Sequence, residues 1–149
     1  MSLGLFVSLI TLSLTGAVFF AGTETGILSA DTLILRRRAQ KGSRSARMVL
    51  DMLHKKDVLL ATMLVGNNLA IVSASAVATA YFTQSFGHHG ALLSVVVVSP
   101  LLLTFGEILP KAVYLSFGER LLMATHWLIR FFSIVFQPVV IITMALPRM

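Results

Sequence analysis

The chain has 149 residues, of which 56% are hydrophobic and 12% are charged, and its mean hydropathy is +0.89. A soluble domain carries about 25% charged residues, so this composition excludes a soluble domain and indicates an integral membrane protein. There is no cysteine, which excludes a disulfide framework, a thiolate metal site and a cysteine nucleophile.

Positive charge is concentrated in one segment. The net charge is +6, and eight of the twelve Lys and Arg residues lie between Arg36 and Lys56. A basic cluster next to apolar spans is typical of a cytoplasmic loop. Because the remaining surface is nearly all apolar, we expect the lipid bilayer, and not nucleic acid, to be the partner of this chain.

The first predicted element is a membrane span over about residues 3–30. Residues 3–22 carry no charge, and twenty helical residues cross ~30 Å of hydrocarbon at ~1.5 Å per residue. Thr23, Glu24 and Thr25 continue this helix toward the basic loop. Within that loop, Ser43 is placed to cap a short helix lying on the membrane surface, although a solvated positive loop explains the same residues.

The second predicted span covers about residues 58–82 and carries a stripe of small residues. The stripe has a spacing of four and consists of Gly66, Ala70, Ala74 and Ala78. Such a stripe lets another helix approach closely, either within the chain or across a dimer interface. We predict that it contributes to a dimer interface. Asn67 and Asn68 lie beside it and point in different directions, which one interhelical hydrogen bond does not explain.

A short outer turn, 83–90, precedes the third predicted span at about residues 91–115. His88 and His89 in this turn are either solvated or metal-binding. After a break near residue 117, the segment 121–146 contains His126, Arg130 and a Gln-Pro pair at 137–138. These interruptions favour two short juxtamembrane helices over about 119–147, although a tilted fourth span remains an alternative.

The end of the third span contains the motif Thr104 to Lys111. Glu107 brings a charge into an apolar helix, where charge costs about 2.5–3.5 kcal/mol at the centre and usually marks function. Pro110 has no N–H, so it releases the carbonyl of Gly106 beside that carboxylate. Two oxygen donors on a broken helix suggest a cation site. Alternatively, Glu107 and Lys111 neutralise each other as an i, i+4 pair.

Helix rise predicts that the polar residues of the three spans share one depth. With the basic loop in the cytoplasm, the N-terminus is outside and the C-terminus inside. Glu24 then lies about 10 Å in from Asp31, Asn67 and Asn68 about 15 Å in from Val58, and Glu107 about 13 Å in from the span's inner end. All the donors are hard oxygens, which favours Mg²⁺, Ca²⁺ or Na⁺ without separating these ions.

Three motifs resemble the membrane domain of the CorC/cyclin-M (CNNM) magnesium transporter family. They are Phe20–Thr25 (FAGTET), Leu60–Leu69 (LATMLVGNNL) and Phe105–Lys111 (FGEILPK). The resemblance covers nearly the whole chain and implies an all-α homodimer with three transmembrane helices and a juxtamembrane belt of short helices. It also implies Mg²⁺ efflux from the cytoplasm, with coupling to Na⁺ left open.

Carried onto this sequence, the resemblance implies an ion site and the residues that shape it. The ligand candidates are Thr23, Asn67, Asn68, Gly106 and Glu107. Glu24, Pro110 and Lys111 would support or gate the site. One departure is Ala21, where the family often has a serine, because alanine supplies no hydroxyl. Another is that family members continue into cytoplasmic CBS domains, whereas this chain, treated as a single domain over 1–149, stops at Met149, so ATP-dependent regulation is not expected of it.

Two functions fit these residues. The first is a secondary Mg²⁺ transporter, and the second is a membrane-anchored sensor or scaffold in which the bound ion is structural or regulatory. An enzyme is not expected, since the chain has no HExxH motif and no Ser–His pair at one depth.

Overall fold

The computed structural model describes residues 2–146, and over these residues the chain is built from helices without any strand. The α-helices are α1 (Leu3–Ser29), α2 (Thr32–Gln40), α3 (Arg44–Leu53), α4 (Lys56–Phe86), α5 (Gly90–Leu103) and α6 (Leu109–Ala145). A 3-10 turn, Gly87–His89, joins α4 to α5, and a π-helical segment, Thr104–Ile108, joins α5 to α6. The predicted all-α fold class is therefore confirmed.

Two continuous stretches of this structure are long and apolar enough to cross a membrane. One is α1, and the other runs from Lys56 to Ala145, through α4, α5 and α6. The second stretch reverses direction between α4 and α5. This reversal brings the hydroxyl oxygens of Thr79 on α4 and Ser94 on α5 to 3.3 Å from each other. Gly87 has a φ of +62° at the reversal, a conformation that favours glycine. The predicted turn between the second and third spans is confirmed, although α4 extends to Phe86.

The basic loop contains two capped helices. The Asp31 side chain accepts a hydrogen bond from the Leu33 N–H at 2.8 Å and begins α2, which the sequence interpretation missed. The Ser43 hydroxyl accepts from the Ala46 N–H at 3.3 Å and begins α3. These are N-caps, which satisfy backbone donors that have no partner within the helix. The predicted Ser43-capped helix is therefore confirmed.

Helices α1 and α4 pack antiparallel along the small-residue stripe. The ring of Phe6 stacks on Tyr81 at 4.1 Å, and the ring of Phe20 packs on Gly66. Ala74 and Ala78 of the stripe are completely buried. The stripe therefore packs inside the protomer, against α1 and its neighbours, and is not on the protein surface. The prediction that it forms a dimer interface is wrong, and the alternative, packing against other spans, is confirmed.

Helix α6 bends at Phe117 and then turns back along α1. Phe117 has non-helical angles, φ −130° and ψ 22°, at the place where the sequence predicts a break. Before the bend, Tyr114 packs on α1 at Gly22 and Gly26; after it, Phe132 reaches Phe20, with ring centroids 4.8 Å apart. The helix beyond the bend therefore belongs to the bundle.

The prediction of two short juxtamembrane helices over about 119–147 is wrong for the described residues. A single helix continues through Gln137 and Pro138 to Ala145. Proline removes only one N–H from the helix, and such a loss is tolerated where neighbouring helices restore the remaining bonds. Here the ring of Phe136, two residues before the proline, has its centroid 6.0 Å from that of Phe20 and anchors the segment. Residue 147, the predicted end of the belt, lies outside the described residues.

The apolar core cluster lies toward the end of the bundle that carries the basic loop. Its fully or nearly buried members come from α1 to α4 and α6: Phe20, Ile27, Leu35, Ala39, Ala46, Val49, Leu59, Met63, Leu122 and Ile129. Burial of apolar side chains contributes about 1.5–3 kcal/mol for a large residue. This cluster packs α2 and α3 against the long helices and surrounds the C-terminal part of α1.

Candidate cation site within the bundle

The third-span motif forms a π-helical segment rather than a simple break. The N–H of Leu109 donates to the carbonyl of Thr104, five residues back, and Pro110 has no N–H to donate. The carbonyls of Phe105 and Gly106 therefore both lack the donor that an α-helix would give them. The sequence predicted one released carbonyl, at Gly106, and the structure places a second beside it. Single-turn π segments occur frequently at functional sites.

Gly106 is buried against α1. A Cβ built on it would lie 3.5 Å from the Cβ of Ala17 and 3.6 Å from Leu14, which is ordinary contact. Space alone therefore does not require glycine here. The small residue brings the rearranged backbone of the π segment, with its carbonyls, next to the first helix.

Glu107 and Lys111 form an ion pair. The Lys111 ammonium nitrogen lies 3.4 Å from a Glu107 carboxylate oxygen, and the two side chains are 34% and 37% exposed in the order Glu107, Lys111. The i, i+4 pairing considered from the sequence is therefore present. It contributes little stability, because half-exposed pairs are worth about 0–1 kcal/mol. A cation that approaches Glu107 would compete with the lysine.

Thr23 presents a buried hydroxyl without a partner. The residue is 0% exposed, and its Oγ1 accepts or donates no hydrogen bond within residues 2–146. Thr62, equally buried on α4, donates to the carbonyl of Val58 at 2.8 Å, which is the usual solution for a helical threonine. Thr23 does not use that solution. A buried hydroxyl without a partner costs about 1–3 kcal/mol, so its position needs an explanation.

The two asparagines differ in their surroundings. Asn67 is 3% exposed, and its amide oxygen Oδ1 lacks a partner within the described part of the chain. Asn68 is exposed on the face of α4 that points away from the bundle. Thr23 Oγ1 and Asn67 Oδ1 are the two buried side-chain polar atoms of residues 2–146 that are left without a hydrogen bond. Both belong to the predicted ligand set.

The packing register refines the predicted common depth. Gly66 packs at Phe20, and Gly106 packs at Ala17, so Asn67 and Glu107 lie within about 5 Å of each other along the bundle axis. Thr23 lies about one helical turn, roughly 5 Å, nearer the basic loop. Glu24 follows Thr23 and is half-buried. The sequence predicted that all these polar residues share one depth, but in the structure their depths along the bundle axis differ by about one helical turn.

The donor set of this region is mostly neutral oxygen. No group of three or more His, Cys, Asp or Glu side chains comes together among the residues that the structure describes. His88 and His89 lie exposed in the 3-10 turn, far along α4 from Asn67. The residues that could hold a cation are a hydroxyl, an amide, one or two carboxylates and the carbonyls of the π segment. Such hard donors suit Mg²⁺, Ca²⁺ or Na⁺.

Tyr114 is a further residue near the site, which the sequence interpretation did not single out. Its ring fills the space above Gly22 and Gly26, where a Cβ at Gly26 would meet it at 2.8 Å. This contact packs the first part of α6 on α1, one turn beyond Pro110. The spacing of the two glycines on α1 is the signal from which such a close contact could have been predicted.

Helices that are apolar on their outer surface and carry buried, unpartnered oxygens inside define a membrane domain with an internal polar site. Comparison with known proteins agrees with this class. The sequence matches the family described as "Cyclin M transmembrane N-terminal domain" over residues 8–148, and the chain belongs to this CNNM family.

Two curated relatives are similar over most of this chain. It is 32% identical over 133 residues to "UPF0053 inner membrane protein YfjD" of Escherichia coli (strain K12), which covers 89% of this chain and 31% of that protein. It is also 32% identical over 136 residues to a "UPF0053 protein" of Haemophilus influenzae, which covers 91% of this chain and 32% of that protein. The chain thus spans about a third of the length of these relatives.

Proposed function

We propose that this protein is a Mg²⁺ transporter of the membrane, in which the ion passes a site formed by Thr23, Asn67, the π-segment carbonyls and Glu107. The observation that carries the proposal is a pair of buried oxygens, Thr23 Oγ1 and Asn67 Oδ1, that have no hydrogen-bond partner among residues 2–146. Membership of the CNNM membrane-domain family supports the same class of function. No catalytic role is part of the proposal.

The chemistry of these donors suits a hard divalent cation. Mg²⁺ prefers six oxygens at about 2.0–2.1 Å and usually keeps several waters. Two neutral side-chain oxygens, one carboxylate and one carbonyl leave coordination positions for water. Glu107 supplies the negative charge that offsets lost hydration, and Glu24, one residue beyond Thr23, lies on the path toward the basic loop.

Lys111 gives the site a means of release. Its ammonium lies 3.4 Å from the Glu107 carboxylate, so ion and ammonium compete for the same oxygens. When the ion occupies Glu107, Lys111 is displaced; when Lys111 returns, the carboxylate is neutralised and the ion leaves. Efflux from the cytoplasm, and the use of Na⁺ as a coupling ion, belong to the proposal as the resemblance implies them.

The proposed topology has three crossings. They are α1, α4 and the combined helix from Gly90 to the bend at Phe117, with the N-terminus outside and the basic loop in the cytoplasm. The part of α6 beyond the bend returns along α1 as far as Phe20 and is not assigned as a crossing. The proposed assembly is a homodimer. Because the small-residue stripe is buried inside the protomer, the amide of Asn68, exposed on an apolar helix, supports the dimer better, since a second copy would give it a partner.

A flux measurement tests the function. Protein reconstituted in liposomes should transport Mg²⁺, and Glu107→Gln, which removes the charge and keeps the shape, should abolish most of this flux. Asp57→Asn, which changes an exposed acid at the start of α4, is the matched control and should transport normally. Absence of flux in a wild-type protein that binds Mg²⁺ tightly would instead favour the sensor or scaffold function.

A further inference from the structure

A cavity lies outside the proposed ion site, between α3, the start of α4 and the part of α6 beyond the bend. Its volume is about 430 Å³, which falls within the range of small-molecule sites, about 300–1,000 Å³. One side is apolar and is formed by Met48, Met52, Val58 and Leu59. The shape and lining suit a ligand with an apolar part.

The other side of this cavity carries free positive charge. Lys55 and Arg130 both line it, together with the single acid Asp51. Within residues 2–146 the only ion pair is that between Glu107 and Lys111, so neither Lys55 nor Arg130 has a carboxylate within 4 Å. Two cations against one acid leave a net positive rim, which favours an anionic group.

His126 adds a polar atom to the same rim. Its Nδ1 lies 2.7 Å from the carbonyl oxygen of Met123, and because a carbonyl only accepts, Nδ1 carries the proton. The other ring nitrogen, Nε2, is left for a ligand. Ser133 also lines the cavity and lies one turn beyond Arg130 on the same helix, although its hydroxyl is used by the carbonyl of Ile129.

The cavity lies where the apolar helices meet the basic loop. Trp127 and Phe131, which flank Arg130 on α6, are 64% and 56% exposed, and tryptophan is typical of the interface between lipid and water. Lys55 is the last residue before α4. An apolar side toward the bilayer and a positive rim at its surface match an anionic phospholipid and not a purely soluble or purely apolar ligand.

We propose that this cavity is a binding site for an anionic phospholipid. The phosphate lies between Lys55 and Arg130, and the adjoining part of the acyl chains packs on Met48, Met52 and Leu59. The site would tie α3 and the returning part of α6 to the membrane surface. It does not depend on the ion site, because it shares no residue with it.

Lipid retention tests this site on the full chain. The protein is placed in nanodiscs made of equal parts phosphatidylcholine and phosphatidylglycerol, re-extracted, and its retained lipids are quantified by mass spectrometry. Wild type should retain phosphatidylglycerol selectively. The double variant Lys55→Gln/Arg130→Gln should lose this selectivity by about five-fold per cation, or roughly 25-fold together. The control, Lys56→Gln/Arg120→Gln, removes the same charge from exposed positions outside the cavity and should behave as wild type.

A second variant separates cavity filling from charge and from misfolding. Met48→Trp places a large side chain in the apolar side at a position that is 40% exposed, and it should reduce phosphatidylglycerol retention without changing any charge. Thermal unfolding in detergent confirms that each variant is folded. If the double variant and its control lose phosphatidylglycerol retention equally, general surface charge and not the cavity causes the retention, and the proposal is overturned.

Two further outcomes would also overturn it. Equal retention of phosphatidylcholine and phosphatidylglycerol by wild type would mean that the rim does not select an anion. Equal protection against thermal unfolding by inorganic phosphate and by phosphatidylglycerol would identify a soluble anion, rather than a lipid, as the ligand. Absence of Mg²⁺ flux in the wild-type protein, with lipid selectivity intact, would refute the proposed transport function alone and leave the lipid site standing.

Discussion

Gly66→Ala is the substitution that most sharply tests the packing of the bundle. A Cβ at this position would lie 2.5–2.6 Å from three atoms of the Phe20 ring, closer than carbon atoms approach without displacement. The ring has little room to move, because Phe20 is 5% exposed and packs against Phe19 and Phe132 at centroid distances of 5.2 and 4.8 Å. We therefore expect overpacking that costs about 1–3 kcal/mol.

Gly16→Ala provides the matched control for this experiment. It lies in the same helix pair, but its Cβ would meet the Ala70 Cβ at 3.5 Å, an ordinary contact. Both changes gain the same helix propensity of about 1 kcal/mol, so the difference between them isolates the clash. At ~2–4 °C per kcal/mol for a chain of this size, Gly66→Ala should unfold about 2–12 °C below Gly16→Ala in a thermal melt.

A double variant completes this test. Phe20→Leu removes the ring atoms that the new methyl would meet, so Gly66→Ala should be far less destabilising in that background, and the two effects should not be additive. If Gly66→Ala is as stable as Gly16→Ala, the antiparallel packing of α1 on the stripe is refuted. The dimer-interface interpretation of the stripe would then be open again.

The other predictions concern the site, the dimer and the topology. Lys111→Met should raise Mg²⁺ affinity in calorimetry by up to about five-fold, because it removes a competing pair worth ~0–1 kcal/mol; lower affinity would mean that the lysine assists binding. Asn68→Leu should shift the protein toward monomer in analytical ultracentrifugation in detergent, and an unchanged dimer fraction would count against a role of this amide between copies. Ser2→Cys should react with an impermeant thiol reagent on intact cells and Ser45→Cys should not; the reverse pattern would invert the topology.

The sequence was sufficient to predict the long helices. The charge-free runs at 3–22 and 58–82 are long enough that hydropathy alone identifies α1 and α4. The caps at Asp31 and Ser43 lie among polar residues, where a capped helix and a solvated loop look alike, and only burial of Leu35 and Val49 against the bundle selects the helix. For the same reason, α2 was missed and α3 was one of two alternatives.

The errors arose where tertiary contacts override local signals. Pro138 was interpreted as a helix break, but Phe132 and Phe136 anchor the flanking helix on Phe20, so the helix persists through the proline. The stripe on α4 predicted close helix contact correctly, but a sequence does not state whether the partner helix belongs to the same chain. The ring of Phe20 on Gly66 supplies that answer.

In the candidate site, too, the residue types were predictable and their packing was not. The residue types at Thr23, Asn67 and Glu107 were sufficient to predict hard oxygen donors. Adjacent asparagines point in directions about 100° apart on a helix, yet which of them is buried depends on where α1 lies. The π segment, with its second released carbonyl, depends on the hydrogen bond from Leu109 to Thr104, which no residue pattern fixes.

The most direct test of the central claim compares two buried threonines. Thr23→Val and Thr62→Val both remove a hydroxyl from a residue that is 0% exposed. The Thr23 hydroxyl has no hydrogen-bond partner in the part of the chain that the structure describes, whereas the Thr62 hydroxyl donates to the carbonyl of Val58. Mg²⁺ affinity is measured by calorimetry, and stability without Mg²⁺ by thermal unfolding. Thr23→Val should lower the affinity by about 10–100-fold while leaving the metal-free protein as stable as wild type or more so. Thr62→Val should bind Mg²⁺ normally, and a folded Thr23→Val that also binds normally would contradict the account.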